Sequence, residues 1–390
     1  MISALLVASV VGQSGLRFAE VPVRSENQVV VCAIKAPRAF SDREQATWHV
    51  LAQSLLAGNE SYSREMILSY GGQAGVPPSV MVSEDLVFIR FVQPPGALGV
   101  TGGILRAMLT RPQLRPEDIK KLVRQMDLPR ASDAEAALMG AKGDFKLVNS
   151  RDLESLWREC YRPENVFIAM SLSGEGGSGI RELAAAVPPW DLGRIPPGRE
   201  PGLGKSRFKG IGEAEVSTWI GPSFRPTTDR AATILATFAL GAGKTSAAFR
   251  ILREEQGLCY LAQSFLWPTR DGWRNMLMLG GRDSVELETV RKLLREDSAM
   301  WDDSRLKQAK AMAATSFVSY NPMSPVLVAP RTRYAGGAID RVTWTAYWGL
   351  LNLTNLSPEA VLADIQAVKL EELKSASLAW LESAMPYAPK

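Results

Sequence analysis

The chain alternates between two spacings of apolar side chains. Dense β-branched and apolar runs, LRFAEVPV at residues 16–23 and NQVVVCAIKA at 27–36, read as strands. The next segment changes period. In SDREQATWHVLAQSLLAG (41–58), Ser41 or Asp42 is placed to cap a helix, Glu44 follows Ser41 at capping-box spacing, and Gly58 is expected to end it. SREMILSYGG (63–72) predicts a second helix stopped by Gly71 and Gly72. DLVFIRFVQ (85–93) predicts a strand, and ALGVTGGILRAMLT (97–110) and RPEDIKKLVRQMD (115–127) predict two more helices. SRDLESLWRECYRPENVFIAMSL (150–172) reads as a helix running into a strand.

After AAAVPPWDLGRIPPGREPGLGKS (184–206) the order begins again. That stretch is rich in Pro and Gly and has no apolar periodicity, as expected of an extended linker. Beyond it EAEVSTWIGPSF (213–224) predicts a strand, and TTDRAATILATFALG (227–241) and TSAAFRILREEQG (245–257) predict helices. CYLAQSFLWP (259–268) and WRNMLMLGG (273–281) predict strands, and SVELETVRKLLRED (284–297) and DDSRLKQAKAMAATSFVSY (302–320) predict helices. Strands mixed with paired helices, twice over, make two related α+β units, a duplicated domain and not a solenoid. The expected units are 15–183 and 207–390, joined by 184–206. Residues 1–14 stand apart, because Ile2 to Val11 are nearly all apolar or small. They read either as a signal-like segment without a basic start or as a first buried strand, which leaves the compartment open between cytoplasmic and exported. No other run is long and apolar enough to span a bilayer.

Composition narrows this picture only a little. The chain has 390 residues, 46% of them hydrophobic, enough for a large core in two or three domains. Its 45 basic and 41 acidic side chains leave a net charge of +4 with no Lys or Arg run, so no nucleic-acid footprint is visible. Cys32, Cys160 and Cys259 are scattered and none belongs to a CxxC pair. That argues against a disulfide framework or a structural zinc cluster and places them in the core.

Candidate chemistry starts with GAGKTSAAFRILREEQGLCY (241–260), whose first residues look like a phosphate-binding loop. Such a loop needs GxxxxGK[ST] between a strand and a helix. Here Phe238 occupies the first Gly position, inside a helical stretch. In the second copy, GLGKS at 202–206, Arg199 occupies it. Both clusters therefore read as turns, with Lys244 solvated.

The rest of the stretch is more specific. LGAGKTSAAFRILREEQGLCYLAQSF (240–265) resembles the second half of the M16 peptidases, the family of insulinase, pitrilysin and mitochondrial processing peptidase. Leu252-Arg253-Glu254 matches the end of a helix in that family, and Gly257-Leu258-Cys259-Tyr260 matches the Gly-Leu-Ala-Tyr that leads into its next strand, with Cys for Ala. TWHVLAQSLLAGNESYSREMILSYGGQ (47–73) resembles the family's active-site helix together with the turn and second helix after it. The resemblance runs from about Gly15 to about Lys374. It implies two homologous halves, each an antiparallel sheet packed with helices.

It also implies a chemistry that this chain lacks. In the family two His residues four apart on one helix face ligate zinc, the Glu before the second His is the general base, and a Glu on a later helix completes the site. Here His49 matches the first ligand, but Ala52 stands at the base position and Gln53 at the second ligand. His49 is the only His in the chain. The later helix has no acid from Ile119 to Met126, and Glu117 lies in its first turn, where it favours the helix dipole. The resemblance thus implies no catalytic residue and no zinc cofactor. It further implies a clam-shell in which an inactive chain pairs with a zinc-bearing one as a heterodimer, or with its own copy, around unfolded peptide. The non-zinc side of such pairs can present an Arg and a Tyr to the substrate backbone, and APRTRYAGG (329–337) offers Arg331, Arg333 and Tyr334. The other readings are a structural or assembly protein that only uses the fold and, last, a metallopeptidase with unusual ligands.

Overall fold

The computed structural model describes residues 8–11, 15–23, 25–126, 145–172, 179–193, 215–281, 285–319, 336–353 and 356–386. Six strands of the first half form one sheet in the order β1-β2-β6-β3-β5-β4. They are β1 (Ala8–Val11), β2 (Arg17–Val21), β3 (Gln28–Lys35), β4 (Ser79–Val82), β5 (Leu86–Gln93) and β6 (Val166–Ser171). Only β2 and β6 pair in parallel. The second sheet is antiparallel, in the order β10-β7-β9-β8. Its strands are β7 (Glu215–Ile220), β8 (Leu261–Thr269), β9 (Gly272–Gly281) and β10 (Met385–Pro386).

The central strand β3 explains the layering. A run as apolar as VVVCAI suits a strand covered on both faces. Val30, Cys32 and Ile34 point into a core shared with the first-half helices α1 (Asp42–Ser54), α3 (Leu98–Thr110), α4 (Pro116–Met126), α5 (Ser150–Cys160) and α6 (Gly179–Ala186). Val29, Val31 and Ala33 point the other way, into a core that belongs to the second half. The element that closes that face is α10 (Gly336–Leu350), which lies across β3 and β6. Its Tyr347 ring tilts against Phe88 of β5, with ring centroids 6.4 Å apart. Gly349 lets the helix approach closely, because a Cβ there would stand 2.3 Å from the Phe167 ring. Lys35 Nζ donates to the Leu350 carbonyl (3.2 Å), placing a cation at the negative end of the helix, and Arg17 bonds the Asn352 side chain just beyond. The halves therefore interlock through one core. The remaining helices, α2 (Arg64–Gly71), α7 (Ala231–Gly241), α8 (Leu287–Ala299), α9 (Asp303–Ser319), α11 (Pro358–Ala367) and α12 (Leu370–Ser383), complete the two layers.

Several local expectations are corrected. The 41–58 helix stops at Ser54, four residues before Gly58. The Asn59 carboxamide closes a turn there by accepting from Ser61 N and Tyr62 N, both at 2.9 Å. Residues 184–186, read as linker, complete the last turn of α6. Val187 is then buried, and Trp190 Nε1 donates to the Tyr161 carbonyl (2.8 Å), so the start of the Pro-rich stretch is fixed to the first half. Residues 194–206 lie outside the described residues. Ala8–Val11 pairs with β2 as an edge strand. All three cysteines are buried and unbridged, as their apolar settings suggest.

Candidate functional site

The M16-type motif falls on α1, and the start of that helix is heavily constrained. Ser41 Oγ accepts from Glu44 N, and Ser41 N donates to Glu44 Oε2 (2.9 Å), a complete capping box. Arg38 then bridges two carboxylates, Glu44 Oε1 at 2.6 Å and Glu159 Oε1 at 2.8 Å, tying the start of α1 to the end of α5. Burial pushes the Glu44 carboxyl up, but hydrogen bonds from Arg38 and Ser41 outweigh it and hold the group below its ordinary range. Trp48 Nε1 donates to the Ser83 carbonyl (3.1 Å), which sets the helix rotation.

That rotation turns the motif inward. His49 is 2% exposed and Ala52 is fully buried, while Gln53 is half-buried. The helix that should deliver a further ligand, α4, does pack on α1. It buries Ile119 and Val123, however, and leaves Glu117 exposed in its first turn. Asp118 in the same turn accepts from Gln113 Nε2 (3.0 Å). Among the described residues no three His, Cys, Asp or Glu side chains come together as a metal-binding group. Arg331, Arg333 and Tyr334 lie outside the described residues.

The glycine cluster at 241–245 is a turn between helices. Phe238 is buried within α7, Lys244 is exposed, and the chain re-enters a helix at Ala248. That helix, Ala248–Glu255, is π-type where an ordinary α-helix is expected. Gln256 N bonds Ile251 O (2.9 Å) and Leu258 N bonds Leu252 O (2.8 Å), so the wide turn is carried through to the start of the next strand. A cavity of about 250 Å³, lined by Glu60, Arg111, Glu154 and Trp157 among others, takes no residue from α1. No spacing in the sequence pointed to it, because its walls come from loops and helix ends of separate segments.

No family model matches the sequence, and no curated protein matches it by sequence. Solved structures do match. A protease from Helicobacter pylori is similar with a TM-score of 0.74 at 14% identity, over 97% of this chain and 98% of that one. The inactive domain of a peptidase M16 from Pseudomonas fluorescens gives 0.71 at 16% identity, over 98% and 97%. The chain has the M16 fold. The periplasmic protease PqqL of Escherichia coli also matches, with a TM-score of 0.65 at 10% identity, over 97% of this chain and 47% of that one. The match to M16-like structures thus spans nearly the full length of the chain, and at such identities it is the residues of α1 that speak for chemistry.

Those residues do not fit the zinc ion that M16 peptidases use. A catalytic zinc takes about three protein ligands and leaves one position for water. The matching face of α1 offers one buried imidazole, a methyl group at Ala52 and an amide at Gln53. A water there would also lack a carboxylate base, since position 52 carries none.

Proposed function

We propose that the chain is a non-catalytic M16-like subunit, which pairs with a zinc-bearing M16 peptidase and helps form the chamber that holds peptide. The observation that carries this reading is the inward face of α1, where the fold of a peptidase is kept and His49 stands without a second imidazole or a carboxylate base. The similar structure from Pseudomonas fluorescens, itself an inactive M16 domain, supports it. Sheet geometry also suits the role. β4 ends the first sheet and β8 ends the second, each with one side unpaired among the described residues. An extended peptide can add to such an edge through main-chain hydrogen bonds, with no metal from this chain. In this reading Arg331 or Arg333 and Tyr334 donate to the peptide backbone.

Co-expression with an intact M16 peptidase, followed by size exclusion and a peptidase assay, tests the proposal. The two chains are expected to co-elute, and the partner's activity is expected to rise about tenfold or more, the scale of one well-placed interaction of roughly 1.4 kcal/mol. Arg331→Ala combined with Tyr334→Phe should remove most of that gain without changing the melting profile. A partner equally active alone overturns the pairing. A gain untouched by the double substitution overturns the Arg and Tyr assignment. If the chain elutes as a stable homodimer without peptide affinity, it is a structural user of the fold.

A further inference from the structure

The surface along which the halves interlock contains two carboxylates that a purely structural junction does not need. Asp85, half-buried as a residue, sits in the short connection between β4 and β5. Its Oδ2 accepts from Arg270 N (3.1 Å) in the turn between β8 and β9. Its Oδ1 is closed off from solvent and has no hydrogen-bond partner among the described residues. The Arg270 guanidinium does not pair with it and reaches Asp271 instead (3.4 Å). The same turn is held from a second side by α10, whose Tyr347 hydroxyl bonds the Thr269 carbonyl (3.0 Å) and the Gly272 carbonyl (2.5 Å). Nearer the start of α10, Asp340 is 9% exposed, and Arg90 of β5 is near enough for its charge to act on it. Arg90 is committed through its Nε to Ser79 Oγ (3.1 Å). Asp85 thus joins one half to the other by a hydrogen bond and Asp340 by charge alone, and among the described residues neither sits in a bidentate ion pair that would repay burying a charge.

We propose that this junction is a proton-operated clasp: neutral Asp85 and Asp340 let the β8–β9 turn and α10 close on the first sheet, and ionisation of the two acids loosens both contacts. The charges around the clasp set its direction. Burial raises the Asp85 carboxyl to about 7 and the neighbouring Glu84 adds to this, against the Arg270 N–H and the charges of Arg274 and Arg270. From α10, the Tyr347 hydroxyl is itself pushed up by burial and then by Asp85. Burial raises Asp340 to about 7 as well, against Arg90. The adjacent Arg341 is engaged with Glu359. In an unfolded or opened chain an aspartate ionises near 3.9 or so. Between that value and about 7 the closed junction keeps protons that the open one releases. Its stability is therefore greatest below about pH 4, falls as pH rises towards 7, and levels off above. The steepest response lies between those two values, in mildly acidic solution.

Hydrogen exchange on the full chain tests this. Corrected for the intrinsic rate, opening of peptides that cover 261–281 and 336–350 should rise about tenfold or more between about pH 5.5 and about pH 8, since one unit of displaced pKa is a factor of ten. Peptides from 41–54 should show no such rise. In the Asp85→Asn, Asp340→Asn double variant the two junction segments should exchange slowly at both pH values, because Asn imitates the neutral acid. Each single variant should lose part of the slope. A flat wild-type profile, or a slope that survives in the double variant, overturns the proposal. Failure of the double variant to fold also counts against it, because the neutral form is the one said to close the junction.

Discussion

Trp344→Ala should destabilise the protein by about 3–5 kcal/mol, the range for deleting a large buried aromatic side chain. Trp344 is 1% exposed on α10. Its ring stands edge-on to Trp273 of β9 with centroids 5.1 Å apart, and it stacks on Trp348 at the same separation with planes inclined by 26°. Those aromatic contacts add to the area term. More important is where the cavity would open. α10 is the helix that covers the open face of the first sheet, so a hole under Trp344 loosens the cover over Val29, Val31 and Phe88 as well as the second-half core. Denaturant unfolding should show a lower midpoint, and hydrogen exchange should show β3 and β9 losing protection together. Trp344→Phe, which keeps a ring, should cost clearly less. A loss below about 1 kcal/mol for the alanine variant, or a loss confined to the second half, would contradict the interlocked core.

Gly272→Ala should cost about 3 kcal/mol or more, combining backbone strain with overpacking, each about 1–3 kcal/mol. Gly272 follows the β8–β9 turn with φ +140°, a conformation that favours glycine. A Cβ there would stand 2.2 Å from the Phe224 carbonyl oxygen. That oxygen accepts from Trp273 N (2.7 Å), and Phe224 N donates back to Trp273 O (2.8 Å), so the added methyl group would force apart a paired backbone bridge. Its carbonyl is also one of the two held by Tyr347. Gly280→Ala is the matched control on the same strand, because its Cβ would meet Leu261 at 3.4 Å, an almost ordinary contact. Thermal melts of the two variants should therefore differ by several degrees. Equal melting would show that the turn has room to relax.

Much of this fold is legible in sequence because much of it is local. Ser41 and Glu44 mark the start of α1 within four residues, and the structure shows the complete capping box. The alternate burial of VVVCAI on β3 is visible as a run too apolar to have a wet face. The helix α10 is not legible in the same way. GGAIDRVTWTAYWGL holds three Gly, two Thr and two Trp, poor or indifferent helix formers, and it carries no capping signature. Its helicity follows from docking on β3 and β6, elements far away in the chain. The same distance hides Asp85 and Asp340, since each acid is ordinary in its own segment and unusual only beside the opposite half. For the site, the reading of chemistry rests on sequence, because a chain with a single His cannot present two imidazoles to one ion. What it could not show is that the capping box and Trp48 turn His49 inward to 2% exposure.

The central claim, an M16 fold without its own hydrolytic site, is tested most directly by elemental analysis of the purified chain beside its His49→Ala variant. Well under one zinc per chain is expected, with no difference between the two proteins, because Ala52 and Gln53 leave His49 as the sole imidazole on that face. Restoring Glu at 52 and His at 53 should not by itself create peptidase activity, since α4 carries no acid after Asp118. One zinc per chain, tightly held and lost on His49→Ala, would contradict the account.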